Sequence, residues 1–132
     1  MLTKIIDIPA HLFKDAYQTG STVICNPPVT DTDIDYVVYT KELAGLIRFL
    51  EDQGFEQSYV DDEEYEINED GIFCSLRLGN ANLILTSNHD YFLGFCNATD
   101  LAKKLNLVNK EDRITLFKAV LYGIFPDNDV PF

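Results

Sequence analysis

The segment "GSTVICNPPVTDTDIDYVVY", Gly20–Tyr39, decides how the chain is read. From Asp33 onward it alternates, and in a strand alternate side chains share a face. Asp33, Asp35, Val37 and Tyr39 then point one way, and Ile34, Tyr36 and Val38 the other. An extended run that begins earlier adds Asp31 to the acidic set. "NPPVT" is a loop, because paired prolines cannot donate to a sheet ladder. The short β-branched run "STVIC" predicts a strand. Upstream, "IPAHLFKDAYQTG" predicts a helix: Pro9 suits its first turn, Leu12, Phe13, Ala16 and Tyr17 recur at helical spacing, and Gly20 ends it. On this reading Ser21 stands at a sharp corner between helix and strand.

Downstream, "KELAGLIRFLEDQG" predicts a helix with Leu43, Leu46, Ile47 and Leu50 in one stripe and Gly54 as its stop. A short strand, "FEQSYV", follows. "GIFCSLRLGNANLILTS" predicts a hairpin turning at Gly79-Asn80 with glycine first. That register pairs Leu78 with Ala81, Leu76 with Leu83 and Cys74 with Leu85 on an apolar face. Arg77 with Asn82 and Ser75 with Ile84 fall on the opposite, more polar face. A slip of one residue would exchange the two faces. Two helices close the chain, "DYFLGFCNATDLAKKL" and "KEDRITLFKAVLYGIF". Asn109 caps the second, and Ile114, Phe117, Leu121 and Ile124 mark its buried side. The expectation is one α+β domain over residues 1–132, a mixed sheet flanked by helices with helices at the C-terminus.

The bulk properties fit that expectation. A chain of 132 residues suits one core and buries roughly two-thirds of the surface of its unfolded form. Nine Phe and seven Tyr, with 46% hydrophobic residues overall, can fill the core. No apolar run approaches the ~20 residues of a membrane span, and Asp7 interrupts what would be the apolar stretch of a signal peptide. A cytoplasmic protein without membrane association is expected. Cys25, Cys74 and Cys96 lack any CxxC spacing and read as reduced, partly buried side chains. His11 and His89 have no neighbour at metal-ligand spacing.

The net charge of −12 opposes binding to long nucleic acid, because affinity there comes from lysine and arginine displacing counterions. The acids are unevenly placed. Residues 51–70, "EDQGFEQSYVDDEEYEINED", hold ten of the 22 acidic residues and no basic one. This stretch reads either as a solvated loop or as a surface for a protein partner.

Gly20-Ser21, eleven residues and then Asp33-Ile34-Asp35 resembles the signature of the nucleotidyltransferase superfamily typified by DNA polymerase beta. There a Gly-Ser or Gly-Gly corner precedes an Asp-x-Asp or Asp-x-Glu strand. "SLRLGNANLILTS", "NATDLAKKLNLVNKEDR" and "LFKAVLYG" are similar to segments of small nucleotidyltransferase-like proteins encoded by tailed phages, which extends the likeness over most of the chain. The resemblance implies a nucleotidyltransferase-like fold and Mg²⁺-dependent transfer of a nucleoside monophosphate from a nucleoside triphosphate to a protein or RNA acceptor. It gives Asp33 and Asp35 the metal and Gly20-Ser21 the triphosphate. The chemistry suits those residue types: two cations roughly 3.5–4 Å apart can stabilise the attacking and leaving oxygens of an in-line displacement, and carboxylates on one strand face can bridge them.

The chain departs from the pattern at the third carboxylate, where Asn82 stands. An amide oxygen can coordinate a cation, but it adds no charge and cannot act as a base. Transfer is then weakened or lost, and the alternative is a non-catalytic acidic module that binds nucleotide or a host protein. Arg77, opposite Asn82, reads as a phosphate contact or as a solvent-facing strand residue. Lys110 and Arg113, one helical turn apart, read as triphosphate contacts or as surface residues beside Glu111 and Asp112. Asp33 and Asp35 read equally as an acidic strand edge that deters aggregation.

Overall fold

The computed structural model describes residues 8–25, 34–58 and 73–123. After a single 3₁₀ turn, Ala10–Leu12, come strand β1 (Asp15–Thr19), a one-turn helix α1 (Ser21–Ile24), β2 (Ile34–Tyr39), α2 (Leu43–Asp52), β3 (Glu56–Ser58), β4 (Phe73–Leu78), β5 (Ala81–Thr86), α3 (His89–Leu105) and α4 (Lys110–Tyr122). The strands form one sheet in the order β1-β2-β5-β4-β3. β2 and β5 run parallel, and the other neighbours are antiparallel. The α+β class with a mixed sheet is as expected. None of the described helices is long and apolar enough to cross a membrane.

Two elements correct the reading of the sequence. The segment expected as a helix up to Gly20 is instead the 3₁₀ turn followed by strand β1, and "STVI", expected as a strand, is helix α1. In β1, Ala16 packs with one core and Tyr17 with the other, so the apolar positions alternate across the sheet. Both faces of β1 are covered, so its apolar residues need not alternate with polar ones, and pairing with β2 decides for a strand against the helical spacing of the sequence. In α1, Ile24 N–H donates to Gly20 C=O at 3.0 Å and Cys25 N–H to Ser21 C=O at 3.2 Å. Ile24 is buried in the α3 core, so packing overrides the β preference of Thr22, Val23 and Ile24.

Elsewhere the pattern holds. The β4–β5 hairpin has the expected register, from Leu78↔Ala81 to Cys74↔Leu85. Gly79 takes φ +60° at its turn. The face expected to be polar is nevertheless covered, because α3 packs there: Ser75, Asn82 and Ile84 are all buried. All six residues of β5 are buried, as befits a central strand with helices on both faces. One core joins Tyr36, Val38, Leu76, Leu83 and Leu85 to Leu46 and Leu50 of α2. The other joins Val37, Phe73 and Ile84 to Tyr91, Phe92, Phe95, Ala98 and Ala102 of α3 and Phe117 of α4.

The helix ends follow local chemistry. α2 ends in Gln53 and Gly54, the latter at φ +103°, with Phe55 N–H donating back to Leu50 C=O. Asn109 caps α4 as expected, its Oδ1 accepting from Glu111 N–H at 2.8 Å. Asn88 caps α3 in the same way through Tyr91 N–H. Of the residues expected on the buried side of α4, Phe117 is fully buried and Ile114 and Leu121 are half-buried. Ile124 lies outside the described residues, as do Asp31, Asp33 and residues 59–70 of the acidic stretch.

Candidate functional site

The corner at Gly20 is a turn from strand to helix. Gly20 takes φ +84° and ψ −179°, a region open to glycine and costly for other residues. A Cβ built on Gly20 would lie 2.1 Å from Asp35 Oδ2 and 3.0 Å from its Cγ, so the corner is pressed directly against that carboxylate. Glycine is required here twice over, by its dihedral angle and by the space that Asp35 fills.

Register then assembles the rest. Thr19 pairs with Asp35, Asp35 with Asn82, Asn82 with Arg77 and Arg77 with Glu56. Directly opposed residues in a sheet project to the same face, so these five form one polar row across all five strands. The row crosses β2 and β5 near their first residues and β1 at its last, which brings it beside Gly20 and Ser21.

Asn82 Nδ2 donates to Asp35 Oδ1 at 3.0 Å. Asn82 is buried, and its Oδ1 meets no hydrogen-bond donor among the described residues. Such an orphan acceptor costs about 1–3 kcal/mol. The amide orientation itself follows from electrostatics. Turned the other way, it would set its oxygen against a carboxylate oxygen.

Thr19 is held by α3, a contact that sequence reasoning missed. Thr99 Oγ1 donates to Phe95 C=O at 2.8 Å, as a threonine in a helix often does to the preceding turn. Its proton is therefore committed, and in the 2.7 Å contact between the two hydroxyls Thr19 is the donor. Both side chains are fully buried. This bond pins the last residue of β1, and with it the position of Gly20. A threonine immediately before Gly-Ser was the only signal in the sequence.

The expected site residues are thus placed as follows. Gly20, Ser21, Asp35, Asn82 and Arg77 are brought to one end of the sheet, and Asp33 lies outside the described residues. Arg113 is held at the C-terminal end of α1. Its Nη1 donates to Leu107 C=O at 3.0 Å, to Val108 C=O at 2.9 Å and to Cys25 Sγ at 3.4 Å, tying the α3–α4 connection to the end of α1. Lys110 is exposed at the start of α4. Among the described residues no group of three or more His, Cys, Asp or Glu side chains is arranged to hold a metal ion.

No protein-family model, curated protein or solved structure matches the chain. The site therefore rests on its own geometry. Asp35 and Asn82 offer a carboxylate and an amide, oxygen-bearing groups of the kind that Mg²⁺ takes in preference to nitrogen or sulfur. The Asn82 Oδ1, which meets no donor among the described residues, and the Asp35 carboxylate beside it are compatible with a small hard cation.

Proposed function

We propose that the chain is a minimal nucleotidyltransferase-fold domain that binds a Mg²⁺–nucleoside triphosphate at Gly20, Ser21 and Asp35 and passes its nucleoside monophosphate to a protein or RNA acceptor. The observation that carries this reading is the seating of Gly20 on Asp35, with room for no Cβ between them. A backbone corner and a carboxylate in such contact form a single wall, against which a phosphate and its cation fit together. The Ser21 hydroxyl is a donor for the oxygens of that phosphate. Asp35, joined by Asp33 in the resemblance, would hold the cation, and Arg77 in the same row has the charge and fork geometry for a phosphate oxygen. When bound, Mg²⁺ supplies stabilisation of the negative charge that develops on the reacting oxygens. The net charge of −12 favours a protein or a short RNA end over long nucleic acid as the acceptor.

One observation favours a second reading, in which nucleotide is bound without being turned over. The third-carboxylate position is an amide that donates to Asp35, so it cannot take a proton from an attacking hydroxyl. The acidic stretch 51–70 is then the feature that meets a protein partner.

Two measurements separate the readings. Thermal melting with Mg²⁺ and each triphosphate reports binding, and a ligand at a hundredfold excess over its dissociation constant adds about 2.7 kcal/mol. Transfer of label from an α-labelled triphosphate to protein and RNA acceptors reports the reaction, and Asp35→Ala abolishes it. Binding without transfer in the native chain, with transfer gained in Asn82→Asp, selects the second reading. Absence of binding with all four triphosphates rejects both.

A further inference from the structure

Asn82 has one amide atom engaged and one idle. Nδ2 donates to Asp35 Oδ1 at 3.0 Å, while Oδ1 is buried without a donor among the described residues. An amide whose oxygen is held by no described residue can be exchanged end for end. The terminal torsion of asparagine is broad and two-fold, and the two ends are nearly equal in size, so half a turn keeps the heavy-atom shape of the side chain. It places Oδ1 where Nδ2 now lies, at about the same 3.0 Å from Asp35 Oδ1.

In the cation-free protein that arrangement opposes two acceptors, and the observed orientation wins. Beside a hard divalent cation the preference reverses. Oxygens on adjacent corners of an octahedron with bonds of about 2.1 Å are about 3.0 Å apart, the separation that the two side chains already hold. On the reading of this site as a Mg²⁺–nucleotide site, we infer that the Asn82 amide turns over when the cation binds, releasing Asp35 and presenting a neutral oxygen ligand next to the carboxylate. A second cation roughly 3.5–4 Å away needs negative charge beyond that of Asp35, and the amide beside it adds none. The centre therefore takes one divalent cation per nucleotide instead of two.

The test uses the full chain, ¹⁵N-labelled, with the Asn82 side-chain resonances identified by their loss in Asn82→Leu. Mg²⁺ is added in the presence of each of the four triphosphates, and calorimetry counts the ions bound. The expected results are displacement of the Asn82 NH₂ pair, one Mg²⁺ per chain, about tenfold or weaker Mg²⁺ affinity in Asn82→Leu, and two ions per chain in Asn82→Asp. Cation-free melts of the variants establish that they fold, and Asn82→Ser replaces Asn82→Leu if the latter does not. Mg²⁺–nucleotide binding with an unmoved Asn82 amide and undiminished affinity in the variant overturns the inference and leaves the nucleotide site standing. Two ions bound to the native chain overturn it as well. No Mg²⁺–nucleotide binding by the native chain overturns both the inference and the proposed function.

Discussion

Asp35 and Asn82 face each other across the parallel strands β2 and β5, with Asn82 Nδ2 3.0 Å from Asp35 Oδ1. Forty-seven residues of chain separate them. A pairing of buried amide with half-buried carboxylate at the start of two central strands contributes little to a core that has apolar residues to either side. Its value lies in fixing the position of one charge beside the Gly20 corner.

That fixing predicts a strong response to Gly20→Ala. The new Cβ meets Asp35 Oδ2 at 2.1 Å and the backbone angle of +84° is unfavourable for alanine. A loss of about 2–4 kcal/mol in chemical denaturation is expected, combining strain with a steric clash. Asp35→Ala in the same chain removes Oδ2 and Cγ and recovers part of the loss. Strict additivity in that double-mutant cycle would show that the contact does not exist.

The threonine pair gives a second cycle. Thr99→Val leaves the buried Thr19 hydroxyl without its acceptor, at a cost of about 1–3 kcal/mol in denaturant melts. Replacing both threonines by valine costs less than Thr99→Val alone, because the orphaned group is gone. Since β1 delivers Gly20, Thr99→Val should also weaken the proposed nucleotide binding although Thr99 lies on α3.

Arg113 tests which of its two readings holds. Arg113→Met removes the hydrogen bonds to Leu107 and Val108 and should lower stability by about 1–3 kcal/mol. Nucleotide affinity, measured where the variant is folded, should be unchanged. A fall in affinity with intact stability would return Arg113 to the triphosphate.

Alkaline pH should unfold the protein in stages. The Tyr17 hydroxyl donates to Asp100, and that bond, with burial and the charges of Asp100 and Cys96, pushes it from 10.0 up to about 12. Burial, aided by nearby carboxylates, raises the Cys74 and Cys96 thiols from 9.0 to about 11. Each folded value exceeds the unfolded one and the neutral form is the one stabilised. The contribution is therefore whole below pH 9–10 and is lost as pH rises through 11–12. Melting temperatures across pH 8–12 should fall over that window, and the fall should be shallower in Tyr17→Phe. Cys74 and Cys96 should react slowly with a thiol reagent at pH 8, where the thiolate is scarce.

Much of this was legible beforehand. The β4–β5 register, the α2 stripe and the Asn109 cap each depend on neighbours close in sequence, and each stands as read. The misreading fell on β1 and α1. Leu12, Phe13, Ala16 and Tyr17 recur at helical spacing although β1 is a strand covered on both faces, and the β-branched run after Gly20 points to a strand. Only β2 on one side and α3 on the other settle the matter.

By itself, then, the sequence determined the chemistry at hand: a Gly-Ser corner, a carboxylate on a strand and an amide where the resemblance asks for a third acid. These are properties of residue type and local spacing, which need no partner. Tertiary structure alone decided that the corner joins strand to helix, that Asp35 fills the space a Gly20 side chain would need, and that Asn82 holds Asp35 while its oxygen meets no donor among the described residues. Those facts depend on parallel pairing between strands far apart in the chain, and on α3 closing over them. Long-range contacts of that kind leave no periodic trace in the sequence.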